Sequence, residues 1–463
     1  MIMEKLTDRL IDFALNFKTE DIPQYVIDNQ KKVLTDSLGV MTAATTLEPA
    51  TRPFTEYALE SSGPSSVIGT GKRSTPVLAA MANGALIHAL DYEDGHDISH
   101  AHPNTATIPA VLAFAEAEGK SGKEALAAMV IGSEISVRLK MCLTGNDLRD
   151  CGWYSPPMFA AYGAVLGVSR LLGFTHDQTR DALSVCMTQI SLPGMSARSK
   201  ESVLRGIREA LSAKAAAFGA EMARRGVKAR MDEPFEGEFG LFMSCFRNMY
   251  DEKIIFDGLG ERWECTGLRF KAWPCCGTSH GTVDAIIELI RQNGIKPEEV
   301  KEVHLHVNKP HMNLLEPRDV KYHPGSLAAA KFSLPFTVAL VLKYGNVTLD
   351  LYKEDILKDE ELLRLSDSVT FEMRPADIKL PEHAIPDDYV IVEIKTDRGT
   401  FSRETIISSG SPFKPLTDDQ IKNKFFDCCS FGVKRFDAQK VYEEVSALDK
   451  KPDLSGLFAA VNS

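Results

Sequence analysis

Glu302-Val303-His304-Leu305-His306-Val307 alternates polar and apolar side chains, and its period of two sets this part of the chain apart from everything before it. Successive side chains of a strand point to opposite faces, so this pattern reads as a strand with one face buried. A second alternation over Tyr389–Lys395 is followed by Asp397-Arg398-Gly399 and then Thr400–Thr405, which reads as a hairpin. Helical spacing at 279–293 precedes the first of these strands and that at 325–343 lies between them, so region 266–408 is expected to be a smaller α+β domain.

Upstream of Arg262 the apolar steps are of three and four residues, the spacing of helices. Segments 76–89, 105–118, 122–140, 158–172 and 209–225 are rich in Ala, which suits closely packed buried helices. Helix starts are marked by Asp21 before Pro23, Thr75 before Pro76, and the pairs Ser121/Glu124 and Thr175/Gln178. After Pro412 and Pro415, Thr417 with Gln420 opens another helical stretch that runs through 449. The expected fold class is therefore mainly α. Residues 1–265 form a large all-helical domain, 266–408 the α+β unit, and 409–463 a helical tail packing back on the first domain.

A length of 463 residues exceeds what one core of roughly 250–300 residues normally serves. With 44% hydrophobic and 25% charged residues the chain is globular rather than disordered. Its net charge of -11 works against non-specific attraction to nucleic acid or anionic lipid, so neither is expected as a partner. The nine cysteines are odd in number and include the adjacent pairs Cys275-Cys276 and Cys428-Cys429, which is no disulfide framework. Neither a signal-peptide core nor a run of ~18 apolar residues occurs, and a reducing cytoplasm is the expected location.

Chemistry concentrates in His88-Ala89-Leu90-Asp91-Tyr92-Glu93-Asp94-Gly95-His96-Asp97-Ile98-Ser99-His100-Ala101-His102-Pro103, with four carboxylates and four histidines. A carboxylate orienting a histidine is an acid–base pair able to work near neutral pH. The plainer reading is a solvated loop. A rival use is a metal site from His96, His100 and His102 with Asp91 or Asp94, but the spacing matches no established metal motif.

Lys271-Ala272-Trp273-Pro274-Cys275-Cys276-Gly277-Thr278-Ser279-His280 lies where the helical half gives way to the α+β region. There Lys271 offers a charge for a carboxylate, and Cys276, Ser279 and His280 offer polar groups near a helix start. A packed turn and a buried cysteine pair is the plainer alternative. Cys151–Pro157 presents Tyr154 before a helix, or else simply closes a core with Trp153 and Tyr154. The basic run Arg198–Arg208 could clamp carboxylates, although such runs are more often solvated. No phosphate-binding Gly-rich loop with Lys-Ser/Thr, no G-x-S-x-G elbow and no complete dinucleotide fingerprint occurs.

Taken together, the chain resembles the MmgE/PrpD family, which includes 2-methylcitrate dehydratase, cis-aconitate decarboxylase and iminodisuccinate epimerase. The resemblance rests on Leu34–Gly39, Asn83–Asp94, His102-Pro103, Lys271–Cys276 with His280 and Asp284, and Phe332–Phe336 in that order. It implies a helical domain with an α+β lid, a homodimer, and a cleft for a small di- or tricarboxylate with no metal or organic cofactor. Asp91, His102 and Lys271 fall on family site positions. Tyr154, Arg208, Cys276, Phe336 and Gly95 depart from the family pattern.

The expected reaction is proton transfer beside a carboxylate by a lyase or isomerase: a dehydratase slightly ahead of a decarboxylase or epimerase. His102 is expected as acid or base, oriented by Asp91, with Tyr154 as second donor and Lys271 stabilising charge. Arg208, Asp94, Cys276, Ser279 and His280 are expected to bind substrate. A carboxylate-binding paralogue without chemistry is the alternative, and a metal-dependent hydrolase the third.

Overall fold

A computed structural model describes residues 5–144, 151–191, 193–197, 199, 202–375, 379–432 and 437–463. Long helices form where the three- and four-residue apolar steps place them: Pro76–His88, Asn104–Ala117, Gly122–Met141, Pro156–Leu172 and Glu209–Arg224. Thr75 accepts from the Leu78 amide, and Ser121/Glu124, Thr175/Gln178 and Thr417/Gln420 close reciprocal capping boxes. Each cap satisfies amides that the first helical turn leaves without partners. Asp21 caps nothing: it sits in the short turn Thr19–Asp21, and Pro23 occupies the cap of the helix Gln24–Leu47.

Small residues let these helices approach closely. A Cβ added to Gly163 would stand 2.2 Å from the Gly132 carbonyl oxygen, so the helices Gly122–Met141 and Pro156–Leu172 meet backbone to backbone. Buried side chains from residues 6–270 and 421–461, with Leu349, form one core. The tail helix Asp418–Ser430 joins it against Gln24–Leu47, where Lys424 pairs with Asp36 at 2.7 Å and a Cβ on Gly39 would lie 3.1 Å from the Phe425 ring.

A second core, drawn from Cys275–Ile394, surrounds a four-stranded sheet. Its strand order is Val369–Met373, Val300–Val307, Val390–Thr396, Gly399–Thr405, with the first pair parallel and the others antiparallel. Val303, Leu305 and Val307 are buried while His304 and His306 are only partly covered, as the alternation requires. Thr396 faces Gly399 across the hairpin, leaving Asp397 and Arg398 as its loop.

Segment 325–343 is two helices rather than one, Leu327–Lys331 and Leu334–Tyr344. Pro335 lacks the amide that an interior position must donate, and Ser333 Oγ accepts from the Phe336 amide to start the second helix. The interruption exposes Phe332 to the site described below. Among the described residues, no helix is long and apolar enough to cross a membrane.

Candidate active site

The Ala-rich helix Pro76–His88 ends inside the protein, so the acidic and histidine-rich segment begins from a buried anchor. Asp91 adopts φ 49°, a left-handed conformation that Asp tolerates better than most residues. Both its backbone oxygen and Oδ1 accept from Lys271 Nζ, at 2.9 and 2.6 Å. Two residues on, Glu93 Oε1 lies 2.5 Å from His88 Nδ1 and 2.9 Å from His102 Nδ1, the latter at ion-pair distance but out of hydrogen-bond alignment. His88 Nε2 stands 3.1 Å from an Arg205 guanidinium nitrogen. The arrangement assigns His88 as a donor through Nδ1 and an acceptor through Nε2.

Burial pushes the His88 imidazole well below its ordinary pKa, outweighing the pull of Glu93, so it is neutral. Burial also opposes ionisation of Glu93, but the His88 Nδ1–H that points at it, the Lys271 ammonium and the nearby His102 ring hold it well below the usual carboxylate range. Lys271 is similar: burial works against its charge, and Asp91 and Glu93 outweigh burial and raise its pKa. The net result is an ionised carboxylate behind His102 and an ammonium beside it.

These groups open on a cavity of about 310 Å³, large enough for a small organic acid. Asp91, His102, Tyr154, Lys271 and Cys276 line it, joined by Arg205, Phe332 and Arg269. His102 is 13% exposed with Nδ1 turned to Glu93, so its Nε2 edge is what a ligand meets. Arg205 is held between rings, its guanidinium carbon 3.8 Å from the Phe332 centroid and 4.8 Å from that of Tyr154. Arg269 bridges the loop and the sheet unit, 2.6 Å from Asp97 and 2.7 Å from Asp388. Lys331 pairs with Glu48 at 3.0 Å and is fully buried, a second charged link between the two cores.

Several expected residues lie elsewhere. Arg208 is fully buried behind Tyr154, donating to its hydroxyl at 3.3 Å and lying 3.4 Å from Glu209, so Arg205 takes the wall position instead. Ser279 and His280 are buried off the cavity, because Gly281 packs against the Asp388 backbone and draws the helix start into the core. His280 Nε2 contacts the Trp273 carbonyl oxygen at 3.2 Å. Asp94 is buried and accepts from Asn104 at 2.8 Å. Phe336 belongs to the second core and Gly95 to the cavity wall. Burial raises the Cys276 thiol's pKa, which disfavours a thiolate nucleophile. Of the basic run, Arg198, Lys200 and Glu201 lie outside the described residues.

His102 is oriented by Glu93 rather than by Asp91, which is occupied by Lys271. Glu93, His88 and Arg205 are the site residues that sequence reasoning did not single out. The imidazoles weighed as metal ligands do not converge: His96 Nδ1 pairs with Ser99 at 2.8 Å, burial having pushed its pKa down to about 4, and His100 lies 3.4 Å from Asp387. Among the described residues, three donors within 4.8 Å of one another occur in His88/Glu93/His102 and in His304/His306/Glu372. In the first group Glu93 Oε1 already serves both imidazoles.

Asp94 has a measurable signature. Burial raises its carboxyl from 3.8 to about 7, so the folded state holds a proton that the unfolded chain releases near pH 4. Stability is therefore lost as pH rises between these values, and above about pH 7 the ionised buried carboxylate exerts its full penalty. Asp94→Asn is expected to match wild type below about pH 4 and to gain a few kcal/mol by pH 8. Unfolding midpoints across this range check it; a pH-independent difference contradicts the assignment.

A buried carboxylate–imidazole pair beside an ammonium and a guanidinium, in a cavity between a helical core and an α+β unit, defines an acid–base enzyme site for an anionic ligand. Residues 8–252 match the MmgE/PrpD N-terminal domain and residues 273–450 the MmgE/PrpD C-terminal domain. The chain belongs to the MmgE/PrpD family, and the lyase class read from its sequence agrees with its relatives. It is 27% identical to a cis-aconitate decarboxylase-like protein of Aspergillus oryzae, covering 99% of this chain and 97% of that protein. It is 25% identical to cis-aconitate decarboxylase of Aspergillus terreus over 99% and 96% of the two chains. With the cis-aconitate decarboxylase of Homo sapiens the identity is 25% over 92% and 88%.

Proposed function

We propose that this protein is a cofactor-independent lyase that decarboxylates a small unsaturated tricarboxylate of the cis-aconitate type. The observation that carries this reading is the meeting of His102, backed by Glu93, with Lys271 and Arg205 on one cavity wall. Loss of carbon dioxide leaves an electron pair on carbon, delocalised toward the remaining carboxylates. Lys271 and Arg205 stabilise that charge, and His102 delivers a proton to carbon. One proton is consumed and one carbon dioxide released per turnover. Sequence reasoning leaned toward dehydration; the names of the relatives favour carbon–carbon cleavage.

The test is NMR of the purified protein with cis-aconitate, citrate and methylcitrate in deuterated water. The expected result is consumption of cis-aconitate with carbon dioxide release and one deuterium in the dicarboxylate product. Hydration or dehydration alone assigns a dehydratase, and ligand binding without exchange assigns a binding protein; either overturns the proposal.

The homodimer, the cytoplasmic location and the division at residues 266 and 409 belong to the same proposal. The nine free cysteines support the location and the two buried cores support the division. Light scattering checks the dimer.

A further inference from the structure

His304 and His306 are used by no part of the site above. They project from the solvent face of the central strand Val300–Val307, 24–28% exposed, and do not line the active-site cavity. The parallel register sets His306 opposite Glu372 and His304 opposite Thr370, while the antiparallel neighbour sets Glu393 opposite His304. One nitrogen of each ring faces the same carboxylate: His306 Nδ1 is 2.7 Å from Glu372 Oε1, and His304 Nε2 is 3.9 Å from Glu372 Oε2. The two rings are nearly perpendicular, with centroids 4.9 Å apart.

The other nitrogen of His304 has a hydrogen-bond acceptor behind it, and that of His306 has a carboxylate at ion-pair distance. Thr370 donates its hydroxyl proton to Glu302 at 2.8 Å, which leaves its oxygen to accept from His304 Nδ1, also at 2.8 Å. That chain fixes the tautomer with Nε2 unprotonated and turned toward Glu372. Behind His306, Nε2 lies 3.7 Å from Glu393 Oε1. Imidazoles whose second nitrogen is backed by a hydroxyl or a carboxylate are the outer-shell arrangement of metal-binding histidines. The three residues offer donors within 4.8 Å of one another, and a cation among them takes the place of the proton in the 2.7 Å hydrogen bond between His306 Nδ1 and Glu372.

We propose that His304, His306 and Glu372 form a surface site for a divalent ion of the zinc class, with water completing the coordination. Two imidazoles and a carboxylate are the donor set that zinc and its late first-row neighbours prefer, whereas magnesium and calcium favour oxygen ligands. The ion bridges the strands Val300–Val307 and Val369–Met373, so its binding stabilises the sheet unit by mass action without entering the catalytic cavity.

Equilibrium dialysis of the full chain against zinc chloride tests this. Wild type is expected to bind one equivalent more than His304→Gln/His306→Gln, whose turnover is unchanged. Thr370→Val leaves all three metal donors in place, removes the hydroxyl that links His304 to Glu302, and is expected to weaken the site about 10-fold or more. Retention of that equivalent by His102→Asn separates the site from the catalytic histidine. Equal stoichiometry in wild type and the double variant, no zinc bound by wild type, or full affinity in Thr370→Val overturns the proposal.

Discussion

Replacing His102 with asparagine is expected to lower turnover by about 10²–10⁴-fold, the contribution of one positioned acid–base group. The size of the loss follows from what Glu93 does. An ionised carboxylate 2.9 Å from Nδ1 stabilises the imidazolium that forms when Nε2 takes a proton and holds the ring edge toward the cavity. Asparagine keeps the polarity but cannot move a proton. The fold is expected to survive, because Glu93 retains its 2.5 Å contact with His88 and no buried charge is stranded. Steady-state kinetics should therefore show the loss in kcat, with KM and the unfolding midpoint little changed. Near-wild-type kcat in this variant removes His102 from the chemistry and transfers the proton step to Tyr154.

The parts legible in the sequence are those where local signals agree. Thr75, Ser121, Thr175 and Thr417 each stand before an apolar helical run, and local capping suffices to place the helix starts. Val303, Leu305 and Val307 announce the sheet because its buried face fixes their register. Asp91, His102 and Lys271 were legible as a motif, and they do meet at the cavity. Which carboxylate backs His102 was not, since it depends on the positive φ at Asp91 turning that side chain to Lys271 and leaving Glu93 to face the imidazoles. Arg205 and Arg208 are three residues apart on neighbouring helical positions, and only the distant rings of Phe332 and Tyr154 decide which one reaches the cavity. Pro335 was a visible warning that 325–343 could not be one helix; the three- and four-residue apolar steps on either side masked it.

Lys271→Met is expected to damage both stability and catalysis, and the two effects separate. Lys271 and Asp91 are almost wholly buried, and Asp91 Oδ2 has no hydrogen-bond partner within the protein, so removing the ammonium strands a buried carboxylate next to ionised Glu93. Breaking a buried pair in this way typically costs about 3–5 kcal/mol. Adding Asp91→Asn to Lys271→Met removes the stranded charge, and most of the lost stability is expected to return. Activity is not: the cation that stabilises the developing charge is gone, and a loss of about 10²–10³-fold is expected to persist in the double variant. Thermal unfolding read beside kcat/KM for the two single variants and the double distinguishes the roles. If turnover returns with stability in the double variant, Lys271 serves only to neutralise Asp91, and Arg205 must carry the electrostatic work alone. If Lys271→Met unfolds no sooner than wild type, the buried Lys271–Asp91 pair adds nothing net to stability.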